Sequence, residues 1–246
     1  MKQLLIEEGT INDSTSGSRL KPIASKVVLN VIYPICIIFP TVSIIIACWR
    51  NGLNNFYTWH VLLTGIGVSG HAVAVAIKLF ANRISLLCGQ QFYRHSSCTS
   101  SRRTIHWILQ SGASACVLAG TVLQYINREM KHKHHIVSVH SIVGLLSLVL
   151  VVVGLVSGVV ALFGWELRKY LRPLWLYRTH RSIGVVAFLA GILALVIAYD
   201  KQIFKDNFCS EIRLVLKVAT IIAALITAFG TFKKLYNLVC ELCTVR

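Results

Sequence analysis

The chain has 246 residues, of which 55% are hydrophobic and 14% are charged, and its formal net charge is +16. With a mean hydropathy of +0.68, this composition excludes an ordinary soluble globular domain and predicts a protein with several membrane spans. In a soluble chain such a charge would favour nucleic acid, but here lysine and arginine set the orientation and attract anions. A lipid bilayer is the expected partner, and no nucleic acid is expected.

Eight cysteines are scattered along the chain, without the paired framework of a small secreted domain. Cys240 and Cys243 form a single CxxC with no second pair nearby. Acylation or a neutral role is therefore favoured there over metal binding. The sequence contains no CxxCH, which excludes covalently attached c-type haem by its usual signature.

Six apolar runs follow one another, and they have the length needed to cross the roughly 30 Å of bilayer hydrocarbon at about 1.5 Å per residue. The predicted fold is an all-α membrane protein with six transmembrane helices. Residues 1–26 are expected to form a flexible cytosolic tail, residues 27–236 the transmembrane domain and residues 237–246 a short cytosolic C-terminal tail. The predicted spans are Val27–Trp49, Phe56–Ile77, Thr104–Ile126, Ile136–Trp165, Leu174–Tyr199 and Ile212–Phe232.

The distribution of positive charge predicts the orientation. With six spans, both termini lie on one side together with the second and fourth connections, and that side carries 17 of the 25 lysines and arginines. By the positive-inside rule the termini are cytosolic. We expect an integral multi-pass protein of an endomembrane, either the endoplasmic reticulum or a vesicle, with the plasma membrane left open. A homodimer is also left open.

Each of the four middle spans carries a histidine near its N-terminal end. Because consecutive helices alternate in direction, His60 and His140 lie near one membrane face and His106 and His180 near the other. Ionisable side chains inside spans usually mark a pathway or a cofactor site. Two imidazoles facing each other across a bundle suit a six-coordinate b-type haem. The pattern predicts two such haems, with irons roughly 20 Å apart along the membrane normal.

Glycines accompany these histidines. Gly144 and Gly184 each lie four residues after a histidine of span four or five, on the same helix face, where a missing side chain would let a flat macrocycle approach the backbone. Close helix packing is the equally supported alternative. The same two interpretations apply to three glycines of span two, Gly65, Gly67 and Gly70.

Four motifs resemble the cytochrome b561 family, in particular its compact six-helix members, across roughly residues 27–236. They are Phe56–His60, Ile105–Gln110, His135–Ser141 and Tyr177–His180. The resemblance implies that helices two to five enclose two b-type haems. It assigns His60 and His140 to the non-cytosolic haem and His106 and His180 to the cytosolic one. The sequence departs from the family at Val61, where a proline is usual, and it lacks a Glu-Ala pair further along that helix.

The resemblance also implies an activity, that of an ascorbate-dependent transmembrane oxidoreductase. Electrons would pass from cytosolic ascorbate through the haems to monodehydroascorbate or ferric iron, as a ferric chelate, on the other side. Two other hypotheses stay open. A transporter whose histidines relay protons or bind a substrate would show no haem absorbance, and a haem-binding scaffold would show no redox turnover.

Ascorbate is an anion, so its cytosolic entrance needs cations close to the His106/His180 level. Among several available cations, Lys78, Arg103 and Arg178 are the preferred candidates, although topology and lipid contact account for most such residues.

On the other face, His135 resembles a family histidine located five residues before a ligand, at the electron exit. Arg128 and the lysines beside it favour an anionic acceptor over a bare cation. For His132 and His134, a solvated interfacial loop explains the sequence equally well.

His71 lies 11 residues after His60 and about 16 Å deeper along the same helix face. A hydrogen-bonded interior histidine is favoured there over a role in tuning the path between haems or in moving a proton.

Overall fold

The computed structural model describes residues 28–87, 95–170 and 172–244. The side chains of residues 29–30, 76–87, 95–102, 230–231, 233–235 and 237–244 are not described. The expected N-terminal tail and the side chains of Lys78, Cys240 and Cys243 therefore lie outside the described part.

The described residues form helices and connections, with no strand among them. Six of the helices are long and apolar enough to cross a membrane, which confirms the predicted all-α membrane fold. A short helix, α6, lies between the last two spans. The helices are α1 (Tyr33–Asn51), α2 (Phe56–Leu87), α3 (His95–Met130), α4 (Val139–Leu162), α5 (Pro173–Ala198), α6 (Gln202–Asn207) and α7 (Ser210–Thr244).

Three helices continue beyond the predicted apolar spans. Helices α2 and α3 both extend into the second connection, which the apolar pattern alone leaves as a loop. Helix α7 runs to Thr244, through most of the expected C-terminal tail. Polar residues can prolong a membrane helix outside the hydrocarbon, where hydropathy no longer marks its end.

Local sequence signals set where the helices begin. Asn55 caps α2, because its Oδ1 accepts a hydrogen bond from the backbone N–H of Thr58 at 2.9 Å. Ser138 and Ser141 form a capping box at the start of α4. Pro173 occupies the first position of α5, where its missing N–H costs nothing. These signals place three of the four span histidines in the first turns of their helices.

Many side chains in the helix interfaces are small, and many large apolar side chains point outward. The buried set is rich in alanine, serine and threonine. By contrast, Val156, Leu225 and Phe229 are 60%, 64% and 72% exposed. This arrangement suits a bilayer, because lipid accepts apolar side chains and close backbone approach drives helix association.

The helices are organised as two antiparallel hairpins, α2 with α3 and α4 with α5, whose internal contacts are the most extensive among the described residues. Contacts between the two hairpins are sparse by comparison. Helix α1 packs on the outside, against α2 and α7. Tyr33 ties these three helices together, since its hydroxyl donates to the carbonyl of Ala72 at 3.1 Å and lies 2.8 Å from Oγ1 of Thr227.

An ion-pair cluster joins the end of α5 to α7. The carboxylate of Asp200 accepts hydrogen bonds from Nζ of Lys217 at 2.7 and 2.8 Å and lies 3.4 Å from Nη1 of Arg213. The Lys217 hydrogen bond, reinforced by the charges of Lys217 and Arg213, holds the pKa of Asp200 below its ordinary value of 3.8.

We therefore expect Asp200→Asn to lower the free energy of unfolding by about 0.5–1 kcal/mol at neutral pH, a small effect because the carboxylate is half exposed. Since the folded-state pKa is depressed, the stabilisation is present above about pH 4 and is lost as the pH falls through the folded pKa. Thermal unfolding of the purified protein in detergent at about pH 7 and about pH 3 measures this difference. Asp206→Asn is the matched control; an equal loss in that variant would contradict the assignment.

Candidate functional site

The histidines of α2 and α4 are each anchored to the neighbouring helix of their hairpin. Nδ1 of His60 lies 3.0 Å from the backbone carbonyl oxygen of Gly120, and Nδ1 of His140 lies 2.9 Å from that of Ala194. A carbonyl oxygen can only accept, so Nδ1 carries the proton in both rings. The lone pair is then on Nε2, the arrangement that a metal-binding imidazole requires.

The histidines of α3 and α5 repeat this arrangement from the opposite helices. Nδ1 of His106 lies 3.4 Å from the carbonyl oxygen of Ala74, and Nδ1 of His180 lies 3.2 Å from that of Gly154. The hydroxyl of Ser157 also lies 3.2 Å from Nδ1 of His180. All four predicted ligands therefore have Nδ1 at a backbone carbonyl of their own hairpin.

The contacts between a histidine Nδ1 and a carbonyl of the facing helix, here called anchors, lie at two positions along each hairpin. We call these positions levels. In the first hairpin, Ala74 follows His60 by 14 residues, and Gly120 follows His106 by 14 residues. The second hairpin has the same spacing from His140 to Gly154 and from His180 to Ala194. At about 1.5 Å per residue, the two levels are about 21 Å apart along the helices. The distance between two haem irons stays a prediction.

The rings of His60 and His140, which belong to different hairpins, lie close together. The ring centroids of His60 and His140 are 6.5 Å apart, with the ring planes at 77°. A ring nitrogen binds a metal at about 2 Å and lies about 1.2 Å from its own ring centre, so a metal shared by two rings separates their centres by about 6.4 Å. The 6.5 Å separation would suit two imidazoles that share a metal.

The glycines fall into two groups. A Cβ atom at Gly144 or Gly184 would meet nothing within 4 Å, so these positions border open space. The three glycines of α2 instead serve close packing: a Cβ at Gly65 would lie 2.9 Å from Ile44, and one at Gly67 would lie 2.6 Å from Val117. At Gly70 the nearest atom is the Cβ of Ala113, at 3.1 Å. Of the five glycines singled out from the sequence, only Gly144 and Gly184 leave space beside the helix for a planar group.

Two further glycines, whose role the sequence does not reveal, hold the histidines in place. A Cβ at Gly120 would lie 2.9 Å from Cγ2 of Thr64, 3.1 Å from Leu63 and 3.2 Å from the carbonyl oxygen of His60. A Cβ at Gly158 would lie 3.0 Å from Cε1 of His180. In both cases the missing side chain lets an anchored histidine sit directly against the facing helix.

The candidate cations at the His106/His180 level differ in surroundings. Arg103 is exposed, and the side chain of Lys78 lies outside the described residues. In Arg178, Nε and Nη2 are buried, and neither has a hydrogen-bond partner among the described residues. Buried charges are normally paired. Arg178, two residues before His180, therefore suits the carboxylate of a bound group or an anionic substrate.

At the opposite end of the bundle, the side chain of His135 contacts other residues of the protein. Its Nε2 lies 2.8 Å from Oε1 of Glu129, and its ring stacks on Tyr125 with centroids 4.6 Å apart. His132 and His134 are exposed. The carbonyl of His134 accepts a hydrogen bond from Nε of Arg128 at 2.9 Å. Among the described residues, no group of three or more His, Cys, Asp or Glu side chains is arranged to hold a metal ion.

His71 is hydrogen-bonded inside the first hairpin. Its Nδ1 contacts Oε1 of Gln110 on α3, and its Nε2 is buried without a partner among the described residues. Gln110 follows His106 by four residues, so the pair lies one helical turn inside that ligand. This favours the interpretation of His71 as an interior polar group; Gln110, as its partner, is not recognisable from sequence.

We expect Gly120→Ala to separate α2 from α3 and to weaken the His60 anchor, at a cost of about 1–3 kcal/mol in stability. Haem bound at the His60/His140 level should decrease with it, measured as haem absorbance per protein together with thermal unfolding. Gly112→Ala is the matched control on the same helix, because a Cβ there meets nothing within 4 Å. Equal haem content and equal stability in both variants would contradict the role of Gly120.

We expect Gln110→Leu to lower the free energy of unfolding by about 1–3 kcal/mol, because it leaves Nδ1 of His71 buried without its acceptor. The double variant His71→Leu/Gln110→Leu should regain part of that loss, since replacing both partners of a buried pair is nearly neutral. Thermal unfolding of wild type, both single variants and the double variant measures the coupling. Strictly additive effects would show that the hydrogen bond does not couple these residues.

Comparison with known proteins gives the family. The sequence model described as "Eukaryotic cytochrome b561" matches residues 79–205, just over half of the chain. The matched range includes His106, His140 and His180 but not His60. The human protein named transmembrane reductase CYB561D2 is 29% identical over 156 residues, which cover 63% of this chain and 66% of that protein, slightly under two thirds of its length. No solved structure matches significantly. The chain is therefore a member of the eukaryotic cytochrome b561 family, an all-helical membrane protein of a type that binds b-type haem.

Proposed function

We propose that this protein carries single electrons across a membrane, from cytosolic ascorbate through two b-type haems to monodehydroascorbate or ferric iron on the other side. The observation that carries the proposal is the set of four intramembrane histidines, each anchored through Nδ1 to a carbonyl of its own hairpin, at two levels about 21 Å apart. The human relative's name, transmembrane reductase, supports the same class of activity.

The proposal assigns a pair of axial ligands to each level. His60 and His140 hold the non-cytosolic haem, supported by their 6.5 Å separation. His106 and His180 hold the cytosolic haem, supported by the same Nδ1 anchoring. When bound, b-type haem supplies an iron that alternates between the ferric and ferrous states, one electron at a time.

The protein contributes ligand geometry, burial and substrate binding. The Nδ1 hydrogen bonds fix the tautomer and the orientation of each imidazole, so that Nε2 is presented to the iron. On the cytosolic side, Arg178 is the preferred cation for ascorbate or for a haem carboxylate, because its Nε and Nη2 atoms are buried without a hydrogen-bond partner among the described residues. Arg103 is exposed and adds positive charge to that entrance. With the His106/His180 level on the cytosolic side, both termini also face the cytosol.

A pyridine haemochrome assay on the detergent-purified protein tests the haem count, and a visible spectrum before and after ascorbate tests the donor. Two b haems per chain that ascorbate reduces would support the proposal. A protein without haem would favour the transporter hypothesis, and haem that ascorbate does not reduce would favour a scaffold.

We expect His106→Ala to lower the haem-to-protein ratio from about two to about one and to remove rapid reduction by ascorbate, because the cytosolic haem loses an axial ligand. His60→Ala should also lose one haem, but the remaining one should still accept electrons from ascorbate. His134→Ala is the matched control and should keep both haems. A His106→Ala protein with two haems and unchanged ascorbate kinetics would refute the ligand assignment.

A further inference from the structure

The four middle span helices carry their histidines and anchor carbonyls at the same spacing, so their interior positions can be compared. In each helix the anchor carbonyl lies 14 residues after the histidine. The residues four and 11 positions after the histidine lie between the two levels, within about 40° of the histidine's direction around the helix. In an antiparallel hairpin, the first of these positions on one helix has nearly the same depth as the second on its partner. Each hairpin therefore has two such pairs of positions, one inside each level.

Three of the four pairs consist of small or apolar residues and a threonine that bonds within its own helix. Oγ1 of Thr64 donates to the carbonyl of His60 at 2.6 Å. A Cβ atom at Gly144 or Gly184 would meet nothing within 4 Å. Close packing and open space account for such residues. The three pairs are Thr64 with Val117, Gly144 with Gly191 and Gly184 with Val151.

The fourth pair, His71 with Gln110, is polar on both helices. Nδ1 of His71 contacts Oε1 of Gln110. Because the amide oxygen accepts, Nδ1 of the neutral ring carries the proton and Nε2 carries a lone pair. That Nε2 is buried without a partner among the described residues. An unpaired buried acceptor lowers stability, and a valine, as at Val117, would pack without this cost. Helix packing alone therefore does not explain the pair.

The polar pair lies beside one level only. Gln110 follows the His106 ligand by four residues, and His71 precedes Ala74, whose carbonyl receives His106, by three residues. Both side chains are therefore about one turn, or roughly 5 Å, inside the His106/His180 level. The equivalent positions at the same depth of the second hairpin are Gly184 and Val151. A polar group here acts on this level without a counterpart in the facing hairpin.

We propose that the His71 and Gln110 pair lowers the reduction potential of the haem held by His106 and His180. The inference rests on the proposed electron-transfer function and identifies residues outside the ligand set that tune one of its two haems. An iron porphyrin with two neutral imidazole ligands has a net positive charge when ferric and none when ferrous. Polar groups in a low-dielectric interior stabilise the charged state. The pair thus favours ferric iron at this level, which makes the ferrous haem a better donor of its electron to the His60/His140 level.

An anaerobic redox titration of the detergent-purified holoprotein, followed by visible absorbance, measures the midpoint potential of each haem. The component that is missing from His106→Ala is the haem of the His106/His180 level. The test variant is His71→Leu/Gln110→Leu, which removes both partners and leaves neither one unpaired. An unchanged haem content and ferrous spectrum show that the four ligands are intact.

Thr64→Val is the matched control, because it removes a hydroxyl at the corresponding position inside His60 and keeps the shape of the side chain. The midpoint of the His106/His180 haem should not change in this variant. His71→Gln is the conservative variant, which keeps a polar side chain opposite Gln110. It should stay closer to wild type than the double leucine variant does; an equal shift in both would show that polarity is not the cause and would overturn the inference.

We expect reduction of the His106/His180 haem to become about tenfold more favourable in the double leucine variant, a rise of about 59 mV for one electron, with the other midpoint unchanged. Water admitted by loosened packing would stabilise ferric iron and lower the midpoint, so the sign separates loss of the pair from damage to the fold. A rise of less than about threefold, or about 28 mV, would overturn the inference, as would a fall or an equal rise at both haems.

The same titration separates this inference from the proposed function. A wild-type protein without two haems would overturn the proposed function itself. Two haems that ascorbate does not reduce would overturn only the donor, because a titration with dithionite still measures both midpoints.

Discussion

The architecture depends on a repeated hydrogen bond, in which an intramembrane imidazole donates its Nδ1 proton to a carbonyl of the antiparallel neighbour. Inside a bilayer no water is present to satisfy this donor, and an unpaired polar group there is costly. A helical carbonyl that already accepts one backbone bond has a second lone pair to offer. The interaction therefore satisfies the ring, fixes its tautomer and joins two helices at the same point. It requires helices close enough for contact, and Gly120 and Gly158 provide that closeness.

The 14-residue spacing between anchors explains why both levels share one interior. At 100° per residue, 14 residues fall about 40° short of four full turns, so the histidine of a helix and the carbonyl that receives its neighbour's histidine lie on nearly the same face. The two helices of each hairpin can then form a histidine–carbonyl hydrogen bond at both ends, and neither histidine turns toward the lipid. The sparse contacts between hairpins are consistent with this division. Glycines that border open space occur in both hairpins, Gly112 in the first and Gly144 and Gly184 in the second.

Sequence was sufficient for the six spans, because hydropathy is a local signal. It also located the four histidines as polar groups inside apolar runs, and their role as haem ligands stays a prediction. It could not distinguish Gly144 from Gly67, because both glycines lie in apolar runs. Only the structure shows that Gly144 faces open space and that Gly67 faces Val117. Pairs made across helices, such as His71 with Gln110, were equally hidden. The extensions of α2 and α3 were missed because helical polar segments outside the bilayer carry no hydropathy signal.

The two levels have the same anchors but different surroundings. On the first hairpin, the His71 and Gln110 pair lies one turn inside the His106 level. The middle of the second hairpin instead holds a small polar contact, in which the hydroxyl of Ser147 donates to the carbonyl of Ala187 at 3.2 Å. Hydrogen bonding and burial around a haem tune its potential when the axial ligands are identical. With haem at both levels, as proposed, a difference in reduction potential would arise outside the four histidines. At the His106/His180 level the hydroxyl of Ser157 lies 3.2 Å from Nδ1 of His180, and the His71 and Gln110 pair lies one turn inside His106.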